Sequence, residues 1–361
     1  MLERPFFSIV IPTYNRAANL QFALYCIFQQ TFSDFEVVIS DNCSNDNTKS
    51  VVQNIKDKRI RYFRLKKTVG NAVNFKNGIK RAKGKYIFLH SDDDFILYSQ
   101  SLGEVYNKII RLHPGYVRIN YVSLSLDKKR IFYYRIAKPF IKNEYFPQFL
   151  KNEKILSVIL DSDPYFISGI IFRNDSPKGI KIVDSDPVPC IEVFFHVIRN
   201  YGAYFIAKQH MVASWSRREM KKNTQHHIYT LIQGKLRCEK YFEAVRKTVN
   251  KQTYRAFLQR ELTHLFVIMF PIMKSSIGNK KILQISSRIL LLDPTMRKSI
   301  LFWVYLIVAL LLPGNLLRIL RDLFINLFAR FSKVEGGERI YESIKNLEME
   351  YSNYIINFPR D

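Results

Sequence analysis

The sequence predicts an α/β fold, in which helices cover both faces of a mostly parallel sheet, with a helical C-terminal region. Two observations lead to this prediction. In the first third of the 361-residue chain, short apolar segments alternate with segments of helical periodicity. From residue 226 onward the pattern is helical, with mixed charge. The length exceeds what one hydrophobic core usually organises, so we expect two domains, or one with appendages.

Four strands are expected in the first third, each a short apolar run, at residues 6–11, 35–40, 59–65 and 86–89. The first should stop at Pro12, because proline cannot donate to a sheet ladder. Helices are expected between the strands. The second helix should have Asn45 or Asp46 as its N-cap. The third helix should span 71–83, with Gly84 as its C-cap.

Polar residues follow three of these strands: Thr13-Tyr14-Asn15, Asp41-Asn42, and His90 to Asp94. Ligands of such sheets bind outside the carboxyl ends of the strands, so we expect one crevice there. The glycine-rich motifs of dinucleotide-binding and P-loop proteins are missing from the sequence. Asp92, Asp93 and Asp94 offer the hard oxygen ligands that Mg²⁺ and Mn²⁺ prefer, often together with substrate phosphates. The alternative is that they cap the next helix in solvent.

The composition narrows the range of partners. Lysine and arginine number 56 against 31 aspartates and glutamates, a formal charge of +25. This charge suits phosphorylated substrates, an anionic membrane or simply a solvated surface, and no nucleic-acid motif accompanies it. Four cysteines without a CxxC pair favour reduced thiols in the cytoplasm. The N-terminus does not read as a signal peptide.

The C-terminal third contains an apolar run, Ile300 to Leu312. As a helix it would extend roughly 20 Å, less than the ~30 Å hydrocarbon core of a bilayer. An amphipathic segment with Arg318, Arg321 and Arg330 follows, which predicts peripheral binding to an anionic membrane surface. A packed helical hairpin is the alternative. A heptad-like stripe from Ile340 to Tyr354 could contact a partner subunit or fold back.

Three motifs carry a resemblance to a known family: "FSIVIPTYNR", "QQTFSDFEVVISDNCSNDNT" and "VGNAVNFKNGIKRAKGKYIFLHSDDD". Residues 7–95 resemble the nucleotide-sugar-binding half of inverting family 2 glycosyltransferases, which have the Rossmann-like GT-A fold. The resemblance continues weakly to about residue 218. The expected parts of the chain are a donor half at 1–118, an acceptor half at 119–225, helices at 226–298, membrane-associating helices at 299–332, and a C-terminal helix at 333–361 that could form an oligomer contact.

The resemblance also implies the donor site. Pro12, Thr13, Tyr14 and Asn15 would cradle the base, Asp41 would hydrogen-bond it, and Asn74 and Lys76 would reach the base or diphosphate. Asp93 and Asp94 match the last two acids of the metal motif, and Ser91 replaces its first acid. This implies Mg²⁺ or Mn²⁺ on Asp94, with Asp93 near the metal, the sugar or the ribose. A shift of one residue would move these roles to Asp92 and Asp93.

On the acceptor side, residues 168–175 resemble a strand that lines the site. Glu192 would be the catalytic base, because an apolar helical face follows it, and Asp186 is the second candidate. The alternative is that Glu192 interacts only with the helix dipole and has no catalytic role. Arg217 would lie over the diphosphate, unless it is a surface arginine. His90 is expected to be structural.

The predicted function is a metal-dependent glycosyltransferase of bacterial O-antigen or capsule-type polysaccharide synthesis, bound to the cytoplasmic face of the inner membrane. It would transfer a sugar from a nucleoside-diphosphate donor to a hydroxyl of a lipid-linked saccharide with inversion. Two alternatives stay open: transfer to polyprenyl phosphate, and a non-catalytic sugar-nucleotide-binding or scaffold subunit. A homo-oligomer is possible, and no nucleic-acid partner is expected.

Overall fold

The structure is a computed structural model that describes residues 4–124, 131–132, 142–175, 188, 190–214, 239–264, 270–292, 294–317, 319–320, 323 and 336–356. The chain divides into two compact units. The first comprises Met1–Asp184, Val188–Trp215 and Lys333–Asp361, and the second comprises Ser185–Pro187 and Ser216–Ser332. A central sheet surrounded by helices, followed by a helical region, confirms the predicted α/β class.

The strands all belong to the first unit: β1 Phe7–Thr13, β2 Phe35–Asp41, β3 Ile60–Arg64, β4 Tyr86–Leu89, β5 Phe95–Ile96, β6 Tyr116–Leu124, β7 Ile131–Phe132, β8 Glu144–Phe146, β9 Ile170–Arg173 and β10 Ala203–Ser214. The helices of this unit that precede the second unit are α1 Ala17–Phe28, α2 Thr48–Asn54, α3 Asn71–Arg81, α4 Ser101–Leu112, α5 Asn152–Asp161 and α6 Ile191–Tyr201. The remaining helices are α7 Glu239–Thr248, α8 Lys251–His264, α9 Phe270–Leu292, α10 Ile300–Leu311 and α11 Gly337–Ile356.

The sheet has the order β3-β2-β1-β4-β9-β6-β10-β5, with β7 on β6 and β8 on β10. β1, β2, β3, β4, β6 and β10 run in one direction, and β9 and β5 run against them. The inner strands are buried on both faces, which explains their continuous apolar runs. Ile9 and Phe88 pack with Leu24 and Val105 in the main core, so burial against α1 and α4 fixes one side of the sheet.

The first strand does not stop at Pro12, as the sequence suggested, but continues to Thr13. The reason lies in the neighbouring strands. β4 pairs with β1 only as far as Val10, whereas β2 pairs through Thr13. Val10 accepts a bond from His90 N on the β4 side, and Thr13 accepts one from Asn42 N on the β2 side. The nitrogen of Pro12 therefore faces the side on which β4 has already ended, and no ladder bond is lost.

Two helix ends also differ from the prediction. α3 ends at Arg81, and Gly84 is not its C-cap, because Ala82 already has an extended backbone. A Cβ at Gly84 would lie 2.5 Å from the backbone nitrogen of Ser8, so glycine allows the close approach to β1. The N-cap of α2 is Asn47, although Asp46 Oδ1 accepts a hydrogen bond from Thr48 N at 3.0 Å.

In the second unit, α10 packs one face against α9. Phe302, Leu306 and Ala309 join Ile282 and Ile285 in a separate core. The opposite side of α10 is exposed and apolar, and we call it the apolar face of α10; it consists of Trp303, Val304, Ile307, Val308 and Leu311. Among the described residues, no helix combines the length and apolar character needed to cross a bilayer. Arg318, Arg321 and Arg330 lie outside the described residues.

The C-terminal helix α11 folds back on the first unit, which was one of the two alternatives for its apolar stripe. Ile340 and Ile344 are buried in a cluster with Phe95 and Val122. Farther along α11, the aromatic ring of Tyr351 lies 4.8 Å from that of Phe22 on α1. The stripe therefore has an intramolecular partner, and an oligomer contact through this helix stays a prediction.

Candidate active site

The structure brings the three polar strand ends together at the carboxyl edge of the sheet. Thr13, the last residue of β1, is in register with Asp41, the last residue of β2. β4 ends on the other side of β1, where His90 N donates to Val10 O at 3.1 Å. Residues from separate parts of the sequence therefore meet at the edge of the sheet where the crevice is expected.

The loop after β1 is fixed by the loop after β2. Asn15 has a left-handed backbone, with φ of 54°, which asparagine tolerates better than most residues. Its backbone nitrogen donates to Ser44 Oγ at 2.9 Å, and its side-chain oxygen accepts from Asn45 N at 2.8 Å. Pro12 and Thr13 are buried, whereas Tyr14 is 39% exposed. Of these four residues, Tyr14 has the ring most available to a ligand.

Asp41 is fully buried and has three polar neighbours. It accepts hydrogen bonds from Ser44 N at 2.9 Å and from the hydroxyl of Tyr62, and Arg64 Nε lies 3.7 Å from its Oδ2. Burial, and then the hydrogen bond to Asp41, raise the pKa of Tyr62, so its phenol keeps the proton that it donates. Tyr62 and Arg64 thus hold the carboxylate that the resemblance assigned to the base.

The two residues predicted on α3 have different surroundings. Asn74 is buried, with its side-chain oxygen accepting from Ser40 Oγ at 2.7 Å and its nitrogen donating to Ser40 O at 2.9 Å. These bonds anchor α3 to the end of β2. Lys76 is half-buried on the same helix. Anchoring therefore explains Asn74 without a ligand, and a donor contact from Asn74 or Lys76 stays a prediction.

Arg16 joins the acid cluster to the first loop. Its Nη1 lies 3.1 Å from Asp92 Oδ1 and 2.6 Å from Asp93 Oδ2. Burial has the largest influence on the pKa of Asp92 and raises it; the charge of Arg16 opposes this rise and the charge of Asp93 adds to it, so that the pKa lies at about 6. Asp93 has a side chain that is 25% exposed, against 5% for Asp92.

Asp94 is buried and bonded to the other side of the crevice. Ser168 Oγ donates to Asp94 Oδ2 at 2.5 Å and accepts from Ser91 N at 2.9 Å. The carbonyl of Ser168 accepts from the fully buried Arg118 at 2.7 Å. Asp94 therefore ties the acid loop to the start of β9. Across the described ranges, no group of three histidine, cysteine or acidic side chains forms a metal-binding cluster.

His90 is fully buried below the acid loop. Its Nδ1 lies 2.6 Å from the carbonyl oxygen of Ser91, and its Nε2 has no hydrogen-bond partner within the described part of the chain. Burial lowers the pKa of His90 to about 4, so the imidazole is neutral near pH 7. These surroundings suit the structural role that the sequence suggested.

Glu192 lies in the first turn of α6 and is exposed. Because α6 leads through Gly202 directly into β10, that first turn lies toward the carboxyl edge of the parallel strands. Asp186 and Arg217 lie outside the described residues. Sequence reasoning missed Arg16 and Ser168 as partners of the acids. Arg16 is the last residue of the segment FSIVIPTYNR, but nothing in its spacing links it to acids 76 and 77 positions away.

Comparisons with known proteins agree with this fold. The model of the family described as "Glycosyl transferase family 2" matches residues 8–169. The chain is 41% identical over 96 residues to a GalNAc(5)-diNAcBac-PP-undecaprenol beta-1,3-glucosyltransferase of Campylobacter jejuni, covering 26% of this chain and 31% of that protein. It is 35% identical over 105 residues to the poly(ribitol-phosphate) beta-N-acetylglucosaminyltransferase TarP of Staphylococcus aureus, covering 28% and 32%. The match thus spans about a third of each relative.

Among solved structures, S. aureus TarS residues 1–349 in complex with UDP-GlcNAc is similar, with a TM-score of 0.53 and 16% identity. The similarity covers 84% of this chain and 89% of that chain. At this identity the similarity supports the fold alone. It agrees with the mixed sheet and helical C-terminal region described above.

Proposed function

Because residues 8–169 belong to glycosyl transferase family 2, we propose that the chain transfers a sugar from a nucleoside-diphosphate donor to a hydroxyl of a lipid-linked saccharide, with inversion. The observation that carries the proposal is the acid cluster at the end of β4. There, the partly exposed carboxylate of Asp93 lies beside Asp92 and the guanidinium of Arg16. Family membership supplies the reaction type, and the cluster supplies a site for a charged leaving group.

The donor site is proposed at the carboxyl ends of β1 and β2. Tyr14 would stack on the base, and Asp41 would accept a hydrogen bond from it through the lone pairs not used by Ser44 and Tyr62. The named relatives of this chain transfer glucosyl and N-acetylglucosaminyl groups. A nucleotide-linked hexose or N-acetylhexosamine is therefore the class of donor to test first.

Asp93 is the proposed ligand of Mg²⁺ or Mn²⁺. Asp93 and Asp94 each accept a serine hydrogen bond, from Ser91 and Ser168 respectively, but Asp93 is the most exposed of the three acids and Asp94 is buried. This supports the alignment shifted by one residue, with Asp92 and Asp93 in the metal and sugar roles, over a metal contact through Asp94. One or two carboxylates suffice for these ions when substrate phosphates complete the coordination, so the donor set fits. When bound, such an ion neutralises charge on the departing diphosphate.

Glu192 is the proposed base, and Asp186 the second candidate. The base takes the proton of the acceptor hydroxyl as that oxygen bonds to the anomeric carbon. The bond from the anomeric carbon to the phosphate oxygen breaks, and the nucleoside diphosphate leaves with the electron pair. Because attack and departure occur on opposite faces, the configuration inverts. In this reaction, residues 1–118 would bind the donor and residues 119–225 would bind the acceptor.

Attachment to a membrane surface is proposed through the apolar face of α10. Large apolar side chains are exposed there, and Leu311 is 76% exposed. Arg297 and Lys298 are exposed directly before the helix, and basic groups attract anionic lipid. The name of the C. jejuni relative includes a lipid-linked saccharide, which supports an acceptor at the membrane. Together these observations favour a peripheral membrane enzyme, and we propose the cytoplasmic face as its location.

The experiment is a screen of nucleotide-sugars with Mn²⁺, undecaprenyl-diphosphate-linked saccharides as acceptors, and three proteins: parent, Glu192→Gln and Glu342→Gln. Glu342 is an exposed glutamate on α11 and serves as the matched control. We expect transfer by the parent and control, and donor binding without transfer by Glu192→Gln. Full transfer by Glu192→Gln would move the base to Asp186 or elsewhere. Donor binding without transfer by the parent would favour the non-catalytic subunit.

A further inference from the structure

Two adjacent carboxylates share one guanidinium in the candidate site. Arg16 Nη1 contacts Asp92 Oδ1 at 3.1 Å and Asp93 Oδ2 at 2.6 Å. Two neighbouring carboxylates in a buried setting disfavour each other's charge, and an opposite charge within about 4–6 Å relieves this. The pair of acids thus carries its own cation, supplied from another loop of the chain.

The position of Arg16 is not explained by the helix that follows it. Arg16 precedes the first turn of α1, where the helix dipole is positive and a cation is unfavourable. The first helical N–H is satisfied by a different residue, since Ala17 N donates to Asp46 Oδ2 at 2.9 Å. The Arg16 side chain instead donates hydrogen bonds to Asp92 and Asp93, which holds the guanidinium against the acid pair.

We propose that Arg16 competes with the divalent metal for Asp93, and so keeps the metal affinity of the nucleotide-free protein low. This inference rests on the proposed function, which supplies the metal and the diphosphate. Nη1 hydrogen-bonds to Asp93 Oδ2 at 2.6 Å, so a cation that binds this oxygen competes with the guanidinium for it. Two cations at one carboxylate oxygen also repel each other.

The diphosphate gives the displaced guanidinium a new partner. The planar fork of arginine binds phosphate oxygens in pairs, with charge-assisted hydrogen bonds. The metal then takes Asp93 while Arg16 takes the diphosphate, and each step makes the other more favourable. Such coupling is reciprocal, so the nucleotide raises metal affinity by the factor by which the metal raises nucleotide affinity. The placement of Arg16 therefore favours binding of metal and nucleotide together over binding of metal alone.

The test measures Mn²⁺ binding by electron paramagnetic resonance, with and without UDP or GDP, in the full-length chain. Arg16→Met removes the charge but retains most of the side-chain length. We expect it to bind Mn²⁺ about tenfold more tightly than the parent without nucleotide, since a neighbouring charge shifts carboxylate equilibria by at least that factor. The gain in Mn²⁺ affinity caused by the nucleotide should be smaller in Arg16→Met than in the parent.

Arg59→Met is the matched control. Arg59 pairs with Asp57 at 2.7 Å and has similar exposure, but it precedes β3 at the opposite edge of the sheet. It should leave Mn²⁺ affinity unchanged. Arg16→Lys retains the charge and should stay within about twofold of the parent, since repulsion between the two cations governs the competition. Arg16→Gln is a second neutral variant if Arg16→Met does not fold.

A folded neutral variant that binds Mn²⁺ no more tightly than the parent would overturn the inference and leave the proposed function intact. Equal tightening in Arg16→Lys would also overturn it, because charge would then not be the cause. If the parent and all variants fail to bind Mn²⁺ even with nucleotide, the metal itself is wrong, and the proposed metal-dependent reaction fails together with the inference.

Discussion

The three aspartates after β4 are adjacent in sequence but have different surroundings. Asp92 is buried against Arg16, Asp93 is partly exposed, and Asp94 accepts from Ser168 across the crevice. The three acids form one motif in the sequence, but their hydrogen-bond partners in the structure differ. The burial of Asp94 suits a structural contact, and the exposure of Asp93 suits a ligand.

The first prediction separates these two roles. Asp93→Asn should lower sugar transfer by about 10²-fold or more, because an electrostatic contact to the leaving group is removed, with little change in stability. Asp94→Ala should lower the free energy of unfolding by about 1–3 kcal/mol, because Ser168 Oγ loses its buried acceptor. Turnover assays and urea denaturation measure the two effects. The opposite pattern would return the metal contact to Asp94.

A pH dependence follows from His90, whose pKa burial lowers from 6.5 to about 4. Between these values the unfolded chain binds a proton at this site and the folded protein does not. Stability contributed by the neutral histidine is therefore present above pH 6.5 and is lost as the pH falls toward 4, by about 3 kcal/mol in total. His90→Asn, which also can donate to Ser91 O, should flatten this loss in urea denaturation at stepped pH. An unchanged slope would contradict the assignment.

At the scale of elements, the sequence predicted the first four strands and the edge where their polar ends meet, because buried parallel strands are continuous apolar runs and their carboxyl ends share an edge. The predicted end of β1 was wrong because the true end depends on where β4 stops, and no local pattern encodes that position. The Arg16 and Ser168 contacts were missed for the same reason, since each joins distant segments. The apolar stripe on α11 was compatible with a contact to a partner subunit and with a contact inside the chain. Only the packing of the folded protein distinguishes the two alternatives.

The packing of α11 gives a prediction at this scale. Ile344 is 1% exposed among residues of the first unit, whereas Met349 on the same helix is 60% exposed. Ile344→Ala should lower the stability of the first unit by about 2–4 kcal/mol, and Met349→Ala should have little effect. Hydrogen exchange in α1, with urea denaturation, measures the change. Equal effects of the two substitutions would contradict the fold-back of this helix.

At the scale of the whole molecule, the proposed donor site and the proposed membrane surface belong to different units. The acid cluster lies in the first unit and the apolar face of α10 in the second. A separate membrane-binding surface would raise the local concentration of a lipid-linked acceptor without taking part in the chemistry. Loss of this surface should therefore affect lipid-linked acceptors more than soluble ones.

Flotation on anionic liposomes tests this division. The double variant Trp303→Ser/Ile307→Ser removes two side chains of the apolar face and should release the protein from the vesicles, because buried apolar area contributes most of the binding. Phe149→Ser removes an aromatic residue of the first unit that is even more exposed, at 74%, and this variant should float like the parent. For every variant, release from the vesicles should be greater at high salt, because salt screens the attraction between basic side chains and anionic lipid. A parent protein that stays with the soluble fraction at low salt would contradict membrane attachment and favour a packed hairpin.

The anomeric configuration of the transferred sugar tests the proposed inverting transfer most directly. Proton nuclear magnetic resonance would follow the parent enzyme with Mn²⁺, an α-linked nucleotide-sugar found in the donor screen, and a saccharide acceptor. We expect release of the nucleoside diphosphate together with a β-linked product, because the acceptor attacks opposite the leaving group. An α-linked product would contradict the proposed inverting transfer, and so would the absence of nucleoside diphosphate with every donor tested.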